Sequence, residues 1–223
     1  VDLPEIAEIE VSDDEWRNQT FEPIRIGSNL VIVPRTTEFR SKSTDVVVEL
    51  EPGLAFGTGH HPTTLMCLEE IEKVLKPGDR FLDVGCGSGV LSIAALALGA
   101  EFAVGLDIEY DAITSSKANL AEAGYSDKSM ILAGSIPHEE VKDGGFNVVG
   151  ANIAANVLIM LAGPLIASVA KDGVIIISGV LDTRLEDVRA AFGAVGGRVE
   201  SSRKIEDWTA TRIVRSDHAN RAK

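Results

Sequence analysis

The sequence predicts an α/β fold of the Rossmann-like kind, an open and mostly parallel sheet with helices on both faces. Two observations predict it. From residue 62 onward, short apolar runs with strand character alternate with longer runs of helical period, and that alternation implies parallel strands joined by crossover helices. Within it, residues 80–107 read as strand, glycine loop, helix, strand and acid, the order of a nucleoside-binding βαβ unit.

The loop of that unit is Asp83-Val84-Gly85-Cys86-Gly87-Ser88-Gly89. A dinucleotide loop, G-x-G-x-x-G, would need glycine at position 90, where Val90 stands. Glycine in such a loop lets a pyrophosphate approach the helix N-terminus. The D-x-G-x-G-x-G pattern resembles instead the first motif of S-adenosyl-L-methionine-dependent methyltransferases. That cofactor carries an amino-acid end in place of a phosphate, and an acid near the loop, Asp83, can hold its ammonium. Asp107, at the end of the second strand, is placed to accept from two ribose hydroxyls. Glycines alone would also fit a tight strand-to-helix turn with no ligand; the downstream acid favours the nucleoside.

The elements follow in order. Residues 1–20 are an acidic lead-in, with a capped helical start at Ser12 to Trp16. Segments 21–26 and 30–33 flank Gly27-Ser28-Asn29, a hairpin signal, and 46–50 is a short strand. Pro62 opens a helix whose apolar face is Leu65, Leu68, Ile71 and Leu75, and Pro77-Gly78 stops it. Beyond residue 107 the pattern gives a helix over 111–123, strands over 129–133 and 146–152, a helix over 156–170, a strand over 174–178, a helix over 181–195, and two final strands over 198–204 and 209–215. Residues 216–223 are a polar tail expected to be disordered. Residues 1–50 thus form a linker segment with a β-hairpin, and 51–215 the main domain.

Composition narrows the partners. Hydrophobic residues make up 45% of the chain, enough for a core. The 34 acidic and 21 basic residues give a net charge of −13, which disfavours a phosphate-binding surface and suits a basic protein partner. Two cysteines, Cys67 and Cys86, support neither a disulfide framework nor a zinc site. His60 and His61 lack further ligands nearby, so a helix cap or a lid role suits them better than a metal. The run 144–170 carries no charge, but its asparagines and Pro164 divide it into a buried strand and a buried helix rather than a membrane span.

Two further stretches carry candidate chemistry. Residues 55–61, with Gly57 and Gly59, read as a lid in which Phe56 shields a sulfonium from water. Asn152 ends the strand before the 156–170 helix, where ligands of open α/β sheets bind. Its side chain either caps the following helix or orients an amine for attack, and spacing alone does not separate the two.

Glu51-Pro-Gly-Leu-Ala-Phe-Gly-Thr-Gly-His-His-Pro-Thr-Thr64, Asp83 to Ala95 and Ala151-Asn-Ile-Ala154 together resemble the ribosomal protein L11 methyltransferases, the PrmA type. Trp16, Phe21-Glu22-Pro23, Leu30 to Pro34 and Glu206-Asp207-Trp208 add to the likeness, which runs over about residues 13–215. The resemblance implies a class I methyltransferase with a seven-stranded sheet, acting in the cytoplasm on lysine and N-terminal amines of one basic ribosomal protein. It implies cofactor contacts at Thr64, Gly85, Asp107 and Asn152; the full expected set adds Phe56, Thr58, Asp83, Gly87, Gly89 and Ile108, with Asn152 also catalytic. Family members carry a small N-terminal recognition domain, and this chain begins near the linker that follows it. Three other functions compete: methylation of a nucleic-acid base, of a small molecule, or cofactor binding without catalysis. Base methyltransferases commonly follow their Asn or Asp with two prolines and an aromatic, whereas Asn152 precedes Ile153-Ala154-Ala155.

Overall fold

The computed structural model of the chain describes residues 22–35, 37–50 and 61–216. The helical start at Ser12, the segment with Phe56 and Thr58, and the tail beyond Ser216 lie outside them. The hairpin forms as β1 (Ile24–Ile26) and β2 (Leu30–Pro34), paired antiparallel around Gly27, whose φ is +56°. Strand β3 (Val46–Leu50) lies parallel to β2 and completes a small three-stranded sheet.

Helix α1 (Pro62–Val74) begins with proline at its first turn, where a missing N–H costs nothing, and His61 is its N-cap. Three side chains tie α1 to its surroundings. Glu72 accepts from the backbone N–H groups of Ser28, Asn29 and Leu30 at 2.7, 2.6 and 2.9 Å. Burial raises the pKa of that carboxyl, but the three N–H donors outweigh burial and hold it below the usual carboxylate range. Glu69 pairs with Arg203, and Glu70 lies 3.7 Å from Arg212 and 2.7 Å from Lys73. The helix is therefore fixed to the small sheet on one side and to the far edge of the large sheet on the other.

The large sheet holds β4 (Arg80–Val84), β5 (Phe102–Asp107), β6 (Ser129–Ala133), β7 (Phe146–Asn152), β8 (Val169–Leu181), β9 (Gly197–Ile205) and β10 (Trp208–Arg215). Their spatial order is β6-β5-β4-β7-β8-β10-β9. The first five are parallel; β10 pairs antiparallel with both β8 and β9. The order reverses between β4 and β7, the switch point where α/β sheets open a crevice at their carboxyl ends.

Alternation along β4 explains the two layers. Phe81 and Asp83 face α1 and α2 (Val90–Ala97), while Leu82 and Val84 join the opposite core with α4 (Ala155–Ser168) and α5 (Leu185–Ala194). Helix α3 (Tyr110–Glu122) packs with Ile113 and Leu120 on the first face, as do Ile26, Leu30 and Val48 of the small sheet. Each fully buried side chain of this size contributes about 1.5–3 kcal/mol.

Boundaries shift where tertiary pairing decides them. Strand β8 extends to Leu181, beyond the expected 178, because Trp208 and Thr209 pair with Leu181 and Val180. The helix expected from 181 consequently starts at Leu185, after a short 3-10 turn over Asp182–Arg184. Run 144–170 divides into β7 and α4, and among the described residues no helix is long and apolar enough to cross a membrane.

Candidate active site

The glycine loop is laid across the end of β5. Gly85 N and Cys86 N both donate to Leu106 O, at 2.8 and 3.0 Å. Asp107, the next residue, accepts from Gly87 N at 2.9 Å through Oδ2 and from Glu109 N at 3.0 Å through Oδ1. Its carboxylate is thus fixed at the strand end, with lone pairs left for further donors. Gly89 is the N-cap of α2 and stands against Ser116 of α3. Asn119 of α3 reaches the loop from behind, its amide donating to Ser88 O at 2.8 Å.

Asp83 lies beneath the loop, fully buried. Its Oδ2 accepts from Ser92 N at 3.2 Å and Ser92 Oγ at 2.8 Å, while Oδ1 has no partner. Burial outweighs the Ser92 bonds and, with Asp107 nearby, pushes the carboxyl up to about 7. Burial also raises the Cys86 thiol, with Asp83 adding to the effect, so Cys86 packs rather than attacks.

Asn152 stands at the carboxyl end of β7. Its Nδ2 donates to Thr64 Oγ1 of α1 at 3.3 Å, and its Oδ1, shut off from solvent, has no partner. An isolated buried acceptor costs about 1–3 kcal/mol, so it marks a place where a donor belongs. No side-chain cap is seen at the start of α4, whose N-cap is Ala154.

Between these groups lies a cavity of about 700 Å³, the size of cofactor pockets. Thr64, Gly85, Gly87, Asp107, Ile108 and Asn152 all line it. Asp83 and Gly89 stand behind its wall and do not. Phe56 and Thr58 lie outside the described residues. Sequence reasoning did not single out Ser116 or Asn119; the available signal was two polar residues on the buried face of α3 beside Ile113 and Leu120. It also missed Ile153, Val157 and Leu161 on the α4 side of the cavity. Ile108 is three-quarters exposed, an apolar side chain at the cavity rim with no core of its own.

The groups present fit S-adenosyl-L-methionine. Asn152 with its unpartnered acceptor, Asp107 with spare carboxylate lone pairs, and the bare backbone of Gly85 and Gly87 all belong to the lining of one cavity. Among the described residues no group of three or more His, Cys, Asp or Glu side chains is placed to hold a metal. His61, the cap of α1, holds Thr63 Oγ1 at 2.7 Å from its Nδ1.

The family model of the ribosomal protein L11 methyltransferases (PrmA) matches residues 2–216. The chain belongs to that family. A ribosomal protein L11 methyltransferase from Geobacter sp. strain M21 is 43% identical over 208 residues, covering 89% of this chain and 66% of that protein. One from Ralstonia pickettii strain 12J is 42% identical over 195 residues, covering 86% of this chain and 63% of the relative. The chain therefore spans somewhat less than two thirds of the length of these relatives. A crystal structure of ribosomal protein L11 methylase from Lactobacillus delbrueckii subsp. bulgaricus superposes with a TM-score of 0.80 at 29% identity, covering 87% of this chain and 99% of that one. The fold of this PrmA-family chain is thus similar to that of a solved family member.

Proposed function

We propose that the chain is an S-adenosyl-L-methionine-dependent N-methyltransferase that modifies lysine and N-terminal amines of ribosomal protein L11. The observation that carries this reading is the buried, unpartnered Oδ1 of Asn152 on the wall of the cavity. When bound, the cofactor supplies an electrophilic methyl group on a sulfonium. The protein's own part is to bind, orient and exclude water. Asp107 receives the ribose hydroxyls. Gly85 and Gly87 admit the cofactor against bare backbone. Ile108 covers the flat face of its base. Asp83 sets the loop from beneath through Ser92, and Gly89 turns the chain into α2. Thr64 holds the Asn152 amide, so that Oδ1 points one way. Phe56 and Thr58 complete the expected contact set.

An attacking amine must be neutral, and a free lysine has a pKa of about 10.4. Accepting one N–H through Asn152 Oδ1 aims the nitrogen lone pair at the methyl carbon. An amine held so would be set to receive the methyl group that the bound cofactor would supply, and its proton would pass to solvent. Orientation of this kind supplies much of the rate in a displacement.

A net charge of −13 suits a basic ribosomal protein encountered in the cytoplasm, and no direct nucleic-acid partner is part of this reading. Transfer of a labelled methyl group to purified L11, to an oligonucleotide and to a small amine tests it. L11 labelling alone is expected. Labelling of the oligonucleotide or small amine instead would move the assignment to base or small-molecule methylation. Cofactor binding with no transfer would leave a binding module.

A further inference from the structure

We propose that Gly179 is a positioning residue for Asn152, acting through the backbone of Ile153; the role rests on the methyltransferase reading above. Asn152 pairs with Ser178 across β7 and β8, so the chain leaves β7 directly beside Gly179. A Cβ built on Gly179 would lie 2.5 Å from Ile153 O, 2.9 Å from its carbonyl carbon and 3.0 Å from its nitrogen. These are backbone atoms, and a substitution here must displace the segment itself. On the other side, a Cβ at Gly85 would lie 2.3 Å from Ile153 Cγ2. Ile153 is thus held between a glycine of the cofactor loop, against its side chain, and a glycine of β8, against its main chain.

Gly179 sits in a β-bulge. Ile177 pairs with Thr211 and Val180 with Thr209, so Ser178 and Gly179 together stand opposite Ala210. The φ of Gly179 is +79°, which suits a glycine in a bulge. Two buried hydroxyls clasp it: Ser178 Oγ donates to Thr209 O at 2.8 Å, and Thr209 Oγ1 donates to Val180 O at 3.1 Å. Bulges re-aim side chains beside active sites. This one clears the space into which Asn152-Ile153 turns, and so sets where the Asn152 amide enters the cavity.

Two requirements at position 179 can be separated. Asparagine tolerates a positive φ better than alanine does, but both carry a Cβ that meets Ile153. Gly179→Asn is expected to melt closer to the wild type than Gly179→Ala, while both lower single-turnover methyl transfer by about 10- to 100-fold. Cofactor affinity is expected to change much less than turnover. If Gly179→Asn regains turnover along with its melting temperature, the glycine serves only the bulge's backbone conformation and the proposal falls.

A second readout is independent of catalysis. In protein labelled with ¹⁵N-asparagine, the side-chain amide signal of Asn152 is expected to move in both variants; a signal unmoved in folded variants overturns the positioning role. A moved signal in a protein that transfers no methyl group would keep the positioning and refute the methyltransferase reading. If neither glycine variant folds, Thr209→Val, which loosens the clasp without adding a Cβ at 179, decides: a shifted Asn152 signal supports the proposal and an unchanged one refutes it.

Discussion

The Asn152 amide donates to Thr64 Oγ1 at 3.3 Å, joining residues 88 apart in sequence. The bond connects the end of β7 to the first turn of α1. It leaves the Oδ1 of Asn152 buried and without a hydrogen-bond partner.

Thr64→Val removes that hydroxyl while keeping the shape. The freed amide then turns among orientations, and turnover is expected to fall about 10-fold, equivalent to roughly 1.4 kcal/mol of barrier. Stability should drop by only about 0.5–1.5 kcal/mol, the net worth of one hydrogen bond. Single-turnover rates and thermal melts of the same variant check this. An unchanged rate would show that the bond does not orient Asn152.

Asp107→Ala removes the proposed acceptor for the ribose and releases Gly87 N, which it holds at 2.9 Å. Cofactor affinity is expected to weaken by about 1–3 kcal/mol, the range for hydrogen bonds to a charged group. Titration calorimetry measures it. Wild-type affinity in a folded variant would remove Asp107 from the site.

NAD is expected not to bind. The loop has Val90 where a dinucleotide loop places glycine. Calorimetry with both ligands decides, and heat from NAD alone would refute the cofactor assignment.

Asp83 gives a pH signature. Its carboxyl titrates near 7 in the fold and near 3.9 when unfolded, so the fold prefers the protonated form. The contribution of that preference is fully present below about pH 4 and is lost as pH rises towards about 7. Asp83→Asn keeps an acceptor for Ser92 without the charge. Its stability relative to wild type is therefore expected to rise between pH 4 and pH 7 and to level off above. A difference that stays flat across that range would mean the carboxyl is already ionised in the fold.

The sequence carried the βαβ unit well. Strand, loop, helix and acid over residues 80–107 are local, and glycine spacing with Asp107 reports them directly. The hairpin at Gly27, the helix after Pro62 and the division of run 144–170 were legible for the same reason. What was not legible depends on pairing between distant segments. The length of β8 is set by β10, the bulge at Gly179 by Thr209 and Thr211, and the support of the loop by Ser116 and Asn119 of α3. Asn152 could be placed at a strand end, but its partner Thr64 and its vacant Oδ1 emerge only once α1 is docked on the sheet. Asp83 adjoins the loop in sequence, but its burial and its bond to Ser92 depend on strand alternation and on the docking of α2.

In the proposed reaction Asn152 orients an amine for methyl transfer. The most direct test is single-turnover transfer from labelled S-adenosyl-L-methionine to L11 by wild type and by Asn152→Ala, with cofactor affinity measured on both. The rate is expected to fall roughly 10- to 1000-fold, the scale of losing one oriented polar contact, with a smaller loss of affinity. A folded Asn152→Ala that transfers methyl groups at the wild-type rate would contradict it.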